Sequence, residues 1–326
     1  PKSPTFRAGP LRSGGIPSSL LRMKTIISQR AAWIAAVFAG IAGCSLEPPD
    51  SRVEPGFRPA THIARPMMAG DQRSDAPEIR AGSAIIIDAV NGNTLYEKNA
   101  DRKMPVASTQ KLLTAIEVIE EGGLDRPATV SVWDEMQPPT KLYLRTGDRY
   151  RKRDLLAAML VSSANDAASV LAGSGRGSYG DFIANMNRKA RDLGAKNSLF
   201  LNPHGLDFEG QYSTARDTAI IAYHAYRDPL IRYYASLRDV PFNHSDGRTD
   251  LLQNTNMLVY HWPAYFNGLK SGYTDRGGKC LVATSKYKGT ETIIVMLAST
   301  PEEIFRDADR LLKWRFKHLP HPSSKN

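Results

Sequence analysis

The sequence predicts an α+β domain: one sheet assembled from strands at both ends of the folded region, covered by helices drawn from its middle. Three observations predict it. Residues 84–97 read as strand, turn, strand, with Asn91-Gly92 as the turn signal between Ala84-Ile85-Ile86-Ile87 and Thr94-Leu95-Tyr96. Residues 279–285 and 292–298 are short strand-like runs joined by a turn around Lys288-Gly289. Between these ends lie helix-period segments at 108–120, 152–161, 166–172, 179–193 and 214–226, and another at 301–318 nearly ends the chain.

The chain ahead of the sheet has its own logic. Lys24 and Arg30 precede a small, apolar stretch, 31–43, that ends Ile41-Ala42-Gly43-Cys44. A basic start, a short apolar run and small residues before a cleavage point are the parts of a secretory signal peptide, expected at 23–43. Its apolar run is too short to span a bilayer, which takes roughly 20 residues. The ending resembles a bacterial lipobox, in which Cys44 is lipidated and becomes the mature N-terminus; Ser45 after it resembles lipoproteins sent on to an outer membrane. Residues 1–22 precede Met23, the first methionine, and are expected to be an upstream overhang. From 44 to 82 the composition shifts: Pro48, Pro49, Pro55, Pro59, Pro66 and Pro77 sit among polar residues without periodicity, as in a tether. The folded domain is expected over 83–319, and 320–326 as a disordered tail.

Inside the domain each element has a reason. Leu112, Ala115, Ile116 and Ile119 recur at helix spacing behind Ser108. Thr129-Val130-Ser131-Val132-Trp133 alternates as a strand does. Leu155, Leu156, Ala158, Met159 and Leu160 give 152–161 its apolar face. The amphipathic run 179–193 is closed by Gly194, and Thr214 caps the helix after it.

Composition excludes more than it selects. The 326 residues are 41% hydrophobic and 23% charged, an ordinary globular mixture long enough for one large or two ordinary domains. The formal charge of +10 overstates the body, because 1–43 hold six of the 43 Lys/Arg and none of the 33 Asp/Glu, leaving +4. With no aromatic-plus-arginine patch, nothing here argues for nucleic acid. Gly175-Arg176-Gly177-Ser178-Tyr179-Gly180 mimics a dinucleotide motif but follows a helix, so it reads as a loop. The seven histidines show no metal-ligand spacing, and His204 reads as structural. Cys44 and Cys280 are the two cysteines; with the first lipidated, Cys280 has no disulfide partner and reads as a buried small hydrophobe.

Chemistry concentrates in three pieces. Ser108 and Lys111 stand three apart at a helix start, one turn along the same face, so a hydroxyl has an amine in reach and helix N–H groups beside it. Alone, the pair reads equally as an N-cap and a surface lysine. Ser163-Ala164-Asn165 then offers a hydroxyl and an amide on a loop after a helix. Lys270-Ser271-Gly272, followed by Tyr273 and Thr274, opens a strand, where glycine lets a substrate backbone come close. Each piece is weak, and the ordered set is strong.

The set resembles the penicillin-recognising serine enzymes, most closely the low-molecular-mass D-alanyl-D-alanine carboxypeptidases. The likeness extends through Asn202-Pro203-His204-Gly205-Leu206, Ser213-Thr214-Ala215-Arg216-Asp217 and Gly268-Leu269-Lys270-Ser271-Gly272-Tyr273-Thr274. It implies a β-lactamase/DD-peptidase-like fold, a five-stranded antiparallel sheet flanked by helices plus an all-helical lobe, with the site between them. It implies that Ser108 attacks the carbonyl between two D-alanines of a peptidoglycan stem peptide, forming an acyl-enzyme, and that β-lactams inhibit. Lys111 would take the serine proton, Ser163 would relay a proton to the leaving D-alanine, and Asn165 would hold the substrate amide. The oxyanion would sit between the N–H groups of Ser108 and Tyr273, and Lys270, Ser271 and Thr274 would face the terminal carboxylate. No cofactor or metal is implied, and a lipid-anchored monomer on the periplasmic side of the envelope is expected.

The sequence departs from the family where Ser271 replaces the usual threonine, and the arginine that supports the substrate carboxylate is not identifiable; Arg306 lies near but misaligned. Two other readings stay open. One is a D-alanyl murein endopeptidase, to which Asn254-Thr255-Asn256-Met257-Leu258 and the missing second domain point. The other is a β-lactam sensor or murein-binding module that acylates without turnover. A class A β-lactamase lacks its deacylating carboxylate here, since Glu209 is the only glutamate between Asn165 and Lys270 and stands in the wrong setting.

Overall fold

Five strands form an antiparallel sheet in the order β2-β1-β9-β8-β7, in a computed structural model that describes residues 75–318. They are β1 (Ser83–Asp88), β2 (Thr94–Lys98), β7 (Gly268–Thr274), β8 (Gly278–Tyr287) and β9 (Thr290–Ser299). The expected leader 23–43, Cys44, most of the tether and the tail 320–326 lie outside the described residues. β1 is apolar along its length because both its faces are covered. Ile85 and Ile87 enter the core on the helical-lobe side, while Ala84 and Ile86 enter the core on the other side. That second core is closed by the last helix, α9 (Ile304–Lys317), which buries Ile304, Ala308, Leu311 and Leu312 at helix spacing.

Packing begins ahead of Ser83. Ile79 and Ala81 are buried, and the buried carboxylate of Asp307 on α9 accepts the N–H groups of Arg80 (2.7 Å) and Ala81 (3.1 Å).

The helical lobe is built around α1 (Lys111–Glu121), whose residues 111–118 are all buried, so it runs through the lobe and not along its surface. Around it lie α3 (Lys152–Val161), α4 (Asn165–Gly173), α5 (Tyr179–Leu193) and α6 (Ala215–Ala225). Ser178 and Asp181 form a capping box on α5, Gly194 ends it in the left-handed region, and Thr214 caps α6 through Asp217 N.

The strand expected at 129–133 is cut short. β3 (Pro127–Thr129) pairs with β4 (Arg149–Arg151), and Ser131 then starts the one-turn α2 (Val132–Glu135) by a reciprocal box with Asp134. The Ser-x-x-Asp spacing overrides the alternation because it satisfies orphan N–H groups locally. Besides β4, four elements lie where none is expected from sequence: α7 (Pro229–Ser236), β5 (Asp239–Asn243) and β6 (Thr249–Gln253), which form a hairpin, and α8 (Leu258–His261).

Candidate active site

Ser108 lies in a single 3-10 turn, Ala107–Gln110, that runs straight into α1. It makes no cap for α1; its hydroxyl faces Lys111, whose Nζ is 2.9 Å away. Lys111 is fully buried, so the surface-lysine reading falls. Its amine also contacts Asn165 Oδ1 at 2.7 Å and the carbonyl of His204 at 2.6 Å. Asn165 Nδ2 donates to Pro138 O at 3.0 Å, which leaves its oxygen for the lysine. Burial first, then the charge of Lys270, holds the Lys111 pKa well below its ordinary value, with Asp166 opposing. A neutral amine has two N–H donors and one lone pair. Asn165 Oδ1 and the His204 carbonyl can only accept here, so in the neutral form they take the two protons and leave the lone pair for the Ser108 hydroxyl.

The His204 carbonyl is aimed by the loop around it. Asn202 Oδ1 accepts from His204 N and Gly205 N, Asn202 Nδ2 donates to Leu206 O, and Gln110 Nε2 donates to Asn202 O at 2.6 Å. The His204 ring is structural, as expected: Nδ1 accepts from Leu206 N, and burial, then Lys111, lowers its pKa to about 3. Gly205 has φ +88° and presses on the nucleophile turn; a Cβ there would overlap the Ala107 oxygen and lie 3.0 Å from Ser108 N. No local signal in the sequence links positions this far apart.

Asn165 joins the same cluster from the start of α4. Ser163, two residues ahead of it between α3 and α4, is a buried non-glycine residue at φ 67°, and Ala107, just before Ser108, is at φ 50°. Asn165 N donates to Thr140 O, and the buried carboxylate of Asp166 accepts from Leu142 N and Leu144 N, so the segment 138–144 is stitched over this corner.

β7, the edge strand of the five-stranded sheet among the described residues, passes directly beside Ser108. A Cβ on Gly272 would lie 2.5 Å from Ser108 N and 2.9 Å from Ala107 Cβ. The glycine therefore makes room for the nucleophile turn. Lys270 is buried, with Nζ 2.9 Å from Ser271 O and 3.2 Å from Thr255 Oγ1. Burial, then Lys279, lowers its pKa to about 7. Ser271 Oγ donates to Thr255 O at 2.7 Å. Tyr273 sends its side chain outward. The Thr274 hydroxyl donates to Asp207 Oδ1 at 2.9 Å and accepts from Gly277 N. Arg306 is exposed and pairs with Glu303. Thr255, which sequence reasoning did not assign, is placed here by its N–H to Val161 O and by the Asn254 side chain, which accepts from Asn256 N and donates to Ala235 O and Leu237 O.

A serine whose partner is a buried, desolvated lysine, set between a helical lobe and the edge of an antiparallel sheet, is the architecture of the serine DD-peptidase and penicillin-binding class. The chain belongs to the D-alanyl-D-alanine carboxypeptidase family, whose match covers residues 70–300. It is 31% identical over 252 residues to the D-alanyl-D-alanine carboxypeptidase DacF of Bacillus subtilis, covering 74% of this chain and 64% of that one. It is 34% identical over 256 residues to a D-alanyl-D-alanine endopeptidase of Escherichia coli, covering 76% and 82%. Among solved structures it is similar to penicillin-binding protein D2 of Listeria monocytogenes in its cefotaxime-bound form, with TM-score 0.65, 31% identity and coverage of 74% and 98%. The chain thus spans just under two thirds of the Bacillus relative's length.

Proposed function

We propose that this chain is a serine-type D-Ala-D-Ala carboxypeptidase that removes the terminal D-alanine from peptidoglycan stem peptides and is acylated by β-lactams. The observation that carries the reading is the buried Lys111 amine, 2.9 Å from Ser108 Oγ, whose other two contacts, Asn165 Oδ1 and His204 O, can only accept, so that once neutral it has a lone pair to offer Ser108. In this mechanism Ser108 Oγ adds to the carbonyl between the two D-alanines while Lys111 takes its proton. The resulting oxyanion is held by the N–H groups of Ser108 and Tyr273. The C–N bond then breaks, and Ser163 relays a proton to the departing D-alanine amine. Water attacks the ester with Lys111 as base, the shortened stem leaves with a new carboxyl group, and Ser108 is restored. The substrate backbone lies along β7 as an added strand, and Lys270, with the Ser271 end of β7, takes the carboxylate.

We further propose that residues 23–43 are a lipoprotein leader, 44–82 a tether from a lipidated Cys44 whose last residues, from Ile79, pack on the domain, and 83–319 the catalytic domain of a monomer at the periplasmic side of an envelope membrane, the outer one for Ser45. The sequence pattern around Cys44 supports this. Among the described residues no helix is long and apolar enough to cross a membrane.

The test incubates the chain and its Ser108→Ala variant with a D-Ala-D-Ala pentapeptide and with cross-linked muropeptide. Free D-alanine from the first protein only is the expected result. The similarity to the Escherichia coli endopeptidase favours a second reading, which dimer cleavage without D-alanine would establish. Penicillin labelling with neither product would overturn both in favour of a sensor.

A further inference from the structure

Three hydroxyls line the carboxylate end of β7, and their protons are not equally free. Ser271 has one proton, and it goes to the Thr255 carbonyl at 2.7 Å. Thr274 gives its proton to the Asp207 carboxylate at 2.9 Å, a charge-assisted bond that a substrate would have to break beside a like charge. Thr255 differs. Its Oγ1 accepts from Lys270 Nζ at 3.2 Å and from Ser271 Oγ at 3.1 Å, and among the described residues no bond takes its own proton. An incoming carboxylate takes that proton in a charge-assisted bond, roughly twice as strong as one to a neutral acceptor.

We infer that Thr255 is a substrate-binding residue, donating its hydroxyl proton to the C-terminal carboxylate alongside Lys270, in the place left by Ser271 and Thr274. The inference rests on the carboxypeptidase reading for its substrate, and it accounts for how the carboxylate is held in a chain with no identifiable arginine for it. Thr255 is partly exposed, so a ligand reaches it. Its backbone is fixed independently of its side chain, by Val161 O and the Asn254 network, so a side-chain change leaves the strand end in place.

The experiment compares Thr255→Val and Thr255→Ser with the unaltered chain, using acylation by benzylpenicillin and by its methyl ester, and KM and kcat for a D-Ala-D-Ala peptide. Thr255→Val should acylate about tenfold more slowly with the free acid, on the usual scale of one hydrogen bond to a charge. It should show an unchanged rate with the ester, and Thr255→Ser should match the unaltered chain. With the peptide the loss should fall on KM. An equal loss with acid and ester would make Thr255 a support for Lys270 only and overturn the proposal, as would no loss with either. Because β-lactam acylation does not depend on D-alanine release, a chain that binds penicillin without cleaving peptide would refute the carboxypeptidase reading and still test this one.

Discussion

Replacing Gly205 by alanine should disable the nucleophile from a residue that carries no chemistry. The new Cβ would overlap the Ala107 oxygen, lie 2.5 Å from the Ala107 carbonyl carbon and 3.0 Å from Ser108 N, and all of these are backbone atoms with no rotamer to yield. Restoring ordinary contact moves the Ser108 turn by on the order of 1 Å, and a misplacement of that size costs about 100-fold in a positioned reaction. The φ of +88° adds about 1–2 kcal/mol of strain for any residue with a Cβ. Gly122→Ala separates the two effects: Gly122 also has positive φ, +74°, but its Cβ would meet nothing within 4 Å. Acylation by a fluorescent penicillin, followed in time alongside a thermal melt, is the assay. Gly205→Ala should lose about 100-fold in acylation, whereas Gly122→Ala should lose stability alone. If Gly205→Ala acylates within about threefold of the unaltered chain, the packing of the Asn202–Leu206 loop against Ser108 does not set the geometry.

Other expectations follow from the two buried amines and from α9. Lys111 must be neutral to act as base and Lys270 charged to hold a carboxylate, so kcat/KM should fall on the acid side as Lys111 gains a proton. It should fall again as pH rises through about 7, where Lys270 loses one; the alkaline limb should vanish for a C-terminally amidated peptide. Because the folded state depresses the Lys270 pKa, it binds fewer protons than the unfolded chain between about 7 and the ordinary lysine value, and stability gains from Lys270 as pH rises through that window. Lys270→Met should accordingly raise the melting temperature at pH 6 while abolishing discrimination for the carboxylate. Asp307→Ala strands the N–H groups of Arg80 and Ala81, and should cost about 1–3 kcal/mol in urea unfolding with an unchanged m-value.

What the sequence made legible was local. The Asn91-Gly92 hairpin, the Gly194 stop, the Thr214 cap and the three-residue step from Ser108 to Lys111 are each decided within a few residues, and each stands where expected. The Ser131 box and the Asp228 cap with Pro229 behind it were equally local signals for α2 and α7; alternation masked the first, and the helix spacing of Leu230, Ile231, Tyr234 and Ala235 in the second is confined to eight residues. In the hairpin β5–β6 the alternation is present but short, with Val240 and Phe242 inward on β5 and Leu252 on β6, and Pro241 breaks it as a strand signal. Gly205 against Ala107, Asp207 on Thr274 and Thr255 between Lys270 and Ser271 join positions distant along the chain. Pairings of that kind come from the fold as a whole, and no window of sequence contains them.

The pairing of β1 with β9 sets an order of events during synthesis. β1, apolar towards both faces, has two neighbours: β2, a few residues on, and β9, some two hundred residues later. Until β9 and α9 exist, Ala84 and Ile86 have no partner layer, and the β7 edge that fixes Ser108 has no sheet to belong to. Contacts of such separation form late, after the loop entropy between them has been overcome. A growing chain therefore carries its serine and lysine for most of its translation without an assembled site, and the last strand and helix to emerge are the ones that switch it on.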